Sequence, residues 1–205
     1  MRLKSEYEPI VLVGAWNKAM FTPDWVQKYV FPGIPMNIEF PLNNPLASIR
    51  YSANGIVFST VESRLSFLAK KTNKEVFFNI GSLAKDICRL LQHTPIQNFG
   101  INHVFELVED EVKDIPDFGV ITRSPFDGFV VNTGSIMRSM PIEDSILNFS
   151  ISKRPDGIFE ANFNYHHNCP SIEDFLKSFD PDDINNKCIE AQELLVASFG
   201  FKMTE

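Results

Sequence analysis

The sequence predicts an α+β fold in which mainly antiparallel sheets carry packed helices. Runs of alternating apolar residues are separated by Asn-Gly or Pro-Asp-Gly turns, a pattern typical of antiparallel hairpins. Other segments combine a capping residue with apolar residues at helical spacing. The chain has 205 residues, of which 44% are hydrophobic and 22% are charged. A chain of this size can bury a core without disulfides or metal.

The first elements are predicted from local signals. Residues 9–14 form an apolar run without alternation, which predicts a strand buried on both faces. Thr22-Pro23-Asp24 is a helix start, because threonine caps, proline suits the first turn and aspartate suits the positive helix end. This helix is expected to reach about Tyr29. A strand is expected over residues 36–40, closed by Pro41.

Asn54-Gly55 predicts a tight hairpin, because both central residues of a type I′ turn need positive φ. Ile49 and Tyr51 alternate on the way in, and Ile56 and Phe58 on the way out. A third strand carries Leu65, Phe67 and Ala69 and completes a meander.

Residues 74–108 predict the centre of the core as strand, helix and strand. Val76, Phe78 and Ile80 alternate as on a strand, and Gly81-Ser82 then breaks the pattern and offers a hydroxyl cap. A helix follows, and Thr94-Pro95 ends it. Its apolar stripe is Leu83, Ile87, Leu90 and Leu91; the next strand presents Phe99, Ile101, His103, Phe105 and Leu107 on one face.

The acid-rich stretch at residues 106–117 is interpreted as a solvated connection between two sheet-plus-helix halves, residues 1–112 and 118–205, which could also form one compact domain. In the second half, a turn at residues 126–129 feeds a strand through Val131. Residues 147–165 then form a hairpin around Pro155-Asp156-Gly157. Because each half contains a hairpin followed later by a capped helix, we consider a pseudo-repeat.

Two helices are expected near the end of the chain. Ser171 caps a short helix to about Lys177, with Asp174 placed as the acid of a capping box. Residues 180–183 open the last helix, which Gly200 stops. Its apolar stripe is Ile184, Cys188, Ala191, Leu195 and Phe199.

Three stretches together resemble a sporadically distributed family of uncharacterised bacterial proteins. They are an opening Glu-Pro-Ile-Val strand at residues 8–11, the stretch from Thr94 to Leu107, and the terminal helix with its Phe-x-x-x-x-Thr-Glu ending at residues 199–205. The resemblance implies a two-half α+β layout and a bacterial cytosolic setting. It carries over no catalytic residue.

Composition narrows the class of protein. A net charge of -7 weighs against a duplex nucleic-acid or anionic-membrane surface. Cys88, Cys169 and Cys188 are odd in number and lack CxxC spacing, which indicates reduced thiols in a cytoplasm. The apolar run at residues 10–15 is too short for a signal peptide or a membrane span. No cofactor motif is present, and common nucleotide-binding and hydrolase motifs are missing.

The candidate chemical site is the run from His166 to Cys169. On a strand, His167 and Cys169 point to the same side, as zinc ligands or a Cys-His nucleophile pair would need. The competing interpretation is a strand end with partly exposed histidines, and no metal is expected because no second ligand pair is near. His103 is interpreted as a buried neutral histidine bonded to a backbone carbonyl. The acids at residues 180–183 are interpreted as partners of the helix dipole.

Two surface hypotheses complete the prediction. Arg64, Lys70 and Lys71 form a candidate phosphate-binding strip, against the commoner alternative of a solvated turn. Near the N-terminus, a candidate partner-binding aromatic patch comprises Trp16, Phe21, Trp25 and Phe31, against the alternative of core packing.

We therefore expect a non-enzymatic interaction or assembly subunit of a bacterial cytoplasmic multi-protein system. Its partner would be another protein or a second copy of the chain. The open alternative is an enzyme, or a metal or small-ligand binder, with its site near residues 166–169.

Overall fold

The computed structural model describes residues 1–41, 48–61, 63–107 and 130–203, and the single residues 112, 119, 121, 122 and 127. Within these residues the chain forms four α-helices and one ten-stranded antiparallel sheet, which confirms the α+β prediction. The helices are α1 (Pro23–Tyr29), α2 (Lys74–Leu90), α3 (Ile172–Ser178) and α4 (Asp183–Phe199). The strands are β1 (Arg2–Leu3), β2 (Tyr7–Gly14), β3 (Asn37–Glu39), β4 (Arg50–Ala53), β5 (Ile56–Val61), β6 (Arg64–Ala69), β7 (Ile96–Leu107), β8 (Gly134–Ile142), β9 (Ser145–Lys153) and β10 (Phe159–Asn168).

The strand order is β3-β4-β5-β6-β2-β7-β10-β9-β8, and β1 pairs with β7. Ile101 of β7 lies opposite Ile10 of β2 and Tyr165 of β10, which sets the register at the centre of the sheet. Strand β7 belongs to the first predicted half and β10 to the second. Because these two strands pair, the sheet is continuous across both halves. The structure does not confirm a pseudo-repeat, and the boundary between residues 112 and 118 stays a prediction.

One face of the sheet carries the helices and the aromatic core. Phe99, Ile101, His103, Phe105 and Leu107 of β7 are all buried there, as their alternation predicts. Helices α2, α3 and α4 lie on this face, and α2 packs against both others. The predicted one-sided strand is therefore the centre of the core.

The other face carries a chain of amide hydrogen bonds across neighbouring strands. Ser139 donates to Asn148 (2.6 Å), Asn148 donates to Asn164 (2.9 Å), and Asn164 donates to Asn102 (2.7 Å). Asn102 in turn donates to the carbonyl of Glu8 at 2.9 Å. Gly100 leaves room for this chain, because a Cβ there would lie 2.6 Å from Asn164 Nδ2.

The strand predicted over residues 76–80 is wrong, because these residues form the first turns of α2. Asn73 caps this helix by accepting a hydrogen bond from Val76 N at 2.9 Å. Phe78 is 43% exposed, and the buried side of the helix instead follows i, i+4 spacing. Its buried residues are Val76, Phe77, Ile80, Gly81, Ala84, Ile87 and Cys88.

Most turn and cap predictions are confirmed. Asn54 and Gly55 have φ of 49° and 78° between β4 and β5. Thr22 caps α1, and Ser171 caps α3 by accepting from Asp174 N at 3.1 Å. Gly200 ends α4 with φ of 70°.

Two predictions about strands differ from the structure. Strand β2 is not buried on both faces, since Val11 and Val13 are only half-buried on the face away from the helices. Val131 is not in a strand, and β8 begins at Gly134. Three of the four residues of the predicted turn at 126–129, and most of the acid-rich stretch at 106–117, lie outside the described residues.

Candidate functional site

A cleft runs along α4 on the helical side of the sheet, between this helix and the β8–β9 hairpin; we call it the α4 cleft. Its polar part has a volume of about 640 Å³ and its apolar part about 480 Å³. Ile142 and Glu190 line both parts, so the two parts adjoin. The polar part is lined by Phe99, Ile101, Ile142, Glu143, Asp144, Ser145, His167, Ser178, Asp183, Lys187 and Glu190. The apolar part is lined by Arg138, Met140, Ile142, Leu147, Phe149, Phe163, Glu190, Leu194, Leu195, Ser198 and Phe199.

Two stripes of α4 explain why the cleft forms beside this helix. Ile184, Cys188, Ala191 and Leu195 are buried and hold α4 on the sheet. A second stripe lines the cleft and consists of Asp183, Lys187, Glu190, Leu194 and Ser198. Its spacings of three and four residues place these side chains on one side of the helix. The stripe spans 16 residues, whose 15 helical rises add up to about 22 Å.

His167 forms part of the wall of the polar part. Its ring stacks on Phe99 with centroids 4.5 Å apart and planes 3° from parallel. Its Nε2 atom is buried and has no hydrogen-bond partner among the described residues. Loss of solvent, with a smaller effect from the Lys187 ammonium, lowers the pKa of His167 below its usual value. The ring is therefore neutral near pH 7.

Acids outnumber bases in the polar part. Lys187 Nζ lies 2.7 Å from Glu190 Oε2 and 4.9 Å from the centroid of the Tyr165 ring. The other three lining acids are Glu143, Asp144 and Asp183. Among the described lining residues, four carboxylates therefore face one ammonium group, so the polar part favours positively charged groups.

The apolar part has a floor of aromatic and aliphatic side chains from the sheet. Leu147 and Phe149 come from β9, and Phe163 from β10. The rings of Phe149 and Phe163 lie 4.9 Å apart. On the α4 side, Leu194 is 39% exposed although it lies in the cleft. Covering this carbon surface would be favourable, at about 25 cal/mol per Å².

The structure places His167 and Cys169 on the same side of the sheet but in different surroundings. Cys169 is 1% exposed, does not line the cleft, and donates from Sγ to Ser171 O at 3.2 Å. Burial raises its pKa, which disfavours the thiolate that a nucleophile or a zinc ligand needs. His166 lies on the opposite face, beside Gly100. Only His167 of this run lines the cleft.

The aromatic patch expected near the N-terminus is not exposed. Trp16 and Phe21 are only 3% and 4% exposed, and Phe31 is buried as well. Trp25 is half-buried and packs edge-on against Phe21, with centroids 5.1 Å apart. This part of the prediction is wrong, because Phe21, which precedes α1, packs against β4 and β5, with its ring 5.4 Å from that of Phe58. Tyr51 of β4, for example, donates to Phe21 O at 2.6 Å.

The basic residues predicted to bind phosphate are not clustered. Arg64 is at the start of β6 and pairs with Glu8, whereas Lys70 and Lys71 follow the end of the same strand. At about 3.3 Å per residue, Arg64 and Lys70 are about 20 Å apart along the strand. One phosphate cannot contact both ends, so a role in phosphate binding stays a prediction without geometric support.

His103 is buried, as predicted, and it also has a side-chain partner that the sequence did not indicate. Nδ1 lies 2.9 Å from the Tyr7 hydroxyl. Asp180, Asp182 and Asp183 lie at the start of α4, where Asp183 accepts from Asp180 N at 2.7 Å. Within the described part of the chain, no group of three His, Cys, Asp or Glu residues could hold a metal ion.

The sequence prediction missed Glu143, Asp144, Lys187 and Glu190. The second stripe of α4 is visible in the sequence. Glu143 and Asp144 lie in a hairpin turn that comes close to this stripe only when the strands of the sheet pair. No protein-family model matches this chain, and a search of curated proteins finds no match. Among the described helices, none is both long and apolar enough to span a membrane.

Proposed function

We propose that this protein is a non-enzymatic interaction subunit whose α4 cleft binds a segment of a partner protein. The observation that carries the proposal is the pair of adjoining cavities along α4, with an apolar floor in one and charged walls in the other. The cleft's length of about 22 Å is that of a helix of about 15 residues. Apolar grooves of this kind take up the apolar faces of amphipathic helices.

The setting we propose is a multi-protein system of the bacterial cytoplasm. The resemblance of the chain to a family of bacterial proteins supports this setting. All three cysteines are buried and unpaired, which fits a reducing compartment.

The test uses a matched pair of variants on α4. Leu194→Lys places a charge in the apolar part of the cleft. Ile189→Lys places the same charge at a side chain that is 46% exposed and does not line the cleft. Because both side chains are well exposed on one helix, the two variants should have similar stability.

Each variant is expressed beside its genomic neighbours, purified gently and weighed by native mass spectrometry. We expect a complex with another chain for the wild type and Ile189→Lys, and its loss for Leu194→Lys. A homodimer lost only in Leu194→Lys would identify the partner as a second copy. A monomeric wild type, or a complex that survives Leu194→Lys, would refute the proposal.

A second candidate function is a small-ligand binder or enzyme, and the observation that favours it is the position of His167 in the wall of the polar part. A neutral imidazole in a cleft of about 640 Å³ could bind or deprotonate a small molecule. A monomer that carries extra mass in the same experiment, lost in His167→Ala, would support this candidate.

A further inference from the structure

We infer that the segment bound in the α4 cleft is an amphipathic helix with a lysine or arginine seven or eleven residues from its apolar anchor. This inference rests on the proposed function and specifies the chemistry of the partner. It follows from the backbone requirements of the occupant, the charge of the polar part and the distance between the two parts.

A helix suits the apolar part better than an extended segment. Apart from Arg138, Glu190 and Ser198, the side chains that line this part are apolar. An extended backbone pressed on such walls would leave N–H and C=O groups without partners, whereas a helix satisfies them internally. The open position beside α4 is also where a further helix would pack on this sheet.

The charge of the polar part selects a basic residue. Glu143 and Asp144 are exposed at the β8–β9 turn, and Asp183 and Glu190 approach from α4. Among the described residues that line the polar part, Lys187 is the one base, and Glu190 already pairs with it. An ammonium or guanidinium group on the occupant would therefore meet carboxylates from two sides, which is favourable at the edge of a low-dielectric cleft.

The distance between the two parts sets the spacing in the partner. On α4, Leu194 marks the apolar part. The carboxylate of Glu190 lies beside Lys187, seven residues from Leu194, and Asp183 lies eleven residues from it. A helix lying along α4 rises by the same 1.5 Å per residue, so seven or eleven residues span about 10 or 16 Å. Residues at i, i+7 and i+11 also share one face of a helix, whereas i+9 is on the opposite face.

The inference is tested with a library of labelled helical peptides of 22 residues. Their apolar anchors at i and i+4 vary among Leu, Ile, Met and Phe. One set carries lysine at i+7 and i+11 with glutamine at i+9. A comparison set carries one lysine at i+9 and a second lysine that is also off the face that carries the apolar anchors. The two sets of peptides therefore have the same net charge. Binding to the full chain is measured by fluorescence anisotropy.

We expect the i+7, i+11 set to bind about 5- to 10-fold more tightly than the comparison set. In the double variant Glu143→Gln, Asp144→Asn this preference should fall to about 2-fold or less. Glu193→Gln is the matched control, because Glu193 is an exposed acid of α4 that does not line the cleft. The control should keep the full preference, and added salt should reduce it.

The outcomes separate the inference from the proposed function. If peptides bind, lose binding to Leu194→Lys and show no preference between the two sets, the inference is overturned and the proposed function stands. A preference that persists in the double variant also overturns the inference. If Leu194→Lys weakens the binding of no peptide in the library, the helical occupant and this inference are both refuted. The proposed function is then decided by the complex measured by mass spectrometry.

Discussion

The buried imidazole of His103 should make the stability of the fold depend on pH. Burial lowers the pKa of His103 from 6.5 to about 3, while the nearby backbone of Ile184 partly opposes the shift. Below pH 6.5 the unfolded chain binds a proton that the folded chain does not. Stability is therefore full above pH 6.5 and falls as the pH drops toward about 3.

The magnitude follows from the size of this shift. Each pH unit in that window costs about 1.36 kcal/mol per proton, so His103 alone removes about 2.5 kcal/mol between pH 7 and pH 4.5. The replacement His103→Gln cannot titrate, yet it keeps a polar group that can meet the Tyr7 hydroxyl. We expect the variant to be less stable at pH 7 because of imperfect packing, but to lose about 2.5 kcal/mol less on acidification.

The assay is urea unfolding of both proteins at pH 7 and pH 4.5, followed by tryptophan fluorescence. The free energy of unfolding is extrapolated to water, and only its change with pH is compared between proteins. His93→Gln removes an exposed histidine and controls for the loss of one imidazole. Equal losses on acidification in the wild type and His103→Gln would show that His103 is not the group responsible.

Two further predictions concern the packing of α2 and the thiols. Gly81→Ala should destabilise the fold by about 2 to 3 kcal/mol, because the new Cβ would lie 2.8 Å from Pro181 O. Urea unfolding measures this change, and a loss below about 0.5 kcal/mol would contradict the close approach of α2 to the start of α4. Burial raises the pKa of both Cys88 and Cys188 to about 12, so native protein at pH 8 should react with a chromogenic disulfide reagent only through unfolding. Rapid labelling of either thiol without denaturant would show that the core is open.

Elements whose signals are local were predicted well from the sequence. Asn54-Gly55, Ser171 and Gly200 each impose a conformation on their own few residues, and the structure has a turn or a helix end at each. The one-sided strand β7 was found because alternation over five apolar or aromatic positions is hard to produce by another structure.

The start of α2 shows why local patterns fail. Val76, Phe78 and Ile80 alternate, but Val76 and Ile80 are also four residues apart, so one set of residues fits both periods. The side chain that distinguishes a helix from a strand here is Phe77. It is 2% exposed and packs edge-on against Tyr7 and His103. That long-range contact, together with the Asn73 cap, decides for the helix.

The prediction of an exposed aromatic patch is wrong for a related reason. An apolar residue in or beside a short helix can face a partner or the core, and the sequence does not say which. Phe21 lies 5.4 Å from the Phe58 ring only because β5 is folded beneath it. Burial of this kind is a property of the assembled sheet.

The sequence by itself determined the fold class, the hairpins, the caps and the strand at the centre of the core, because these depend on residues close together in the chain. It also contained the stripe of α4 that lines the cleft. The tertiary structure alone decided that the sheet is continuous, that Cys169 is buried away from His167, and that Glu143 and Asp144 face α4. About forty residues separate this turn from α4. Groups so far apart in the chain meet only when long-range strand pairing brings them together, and no local pattern specifies that pairing.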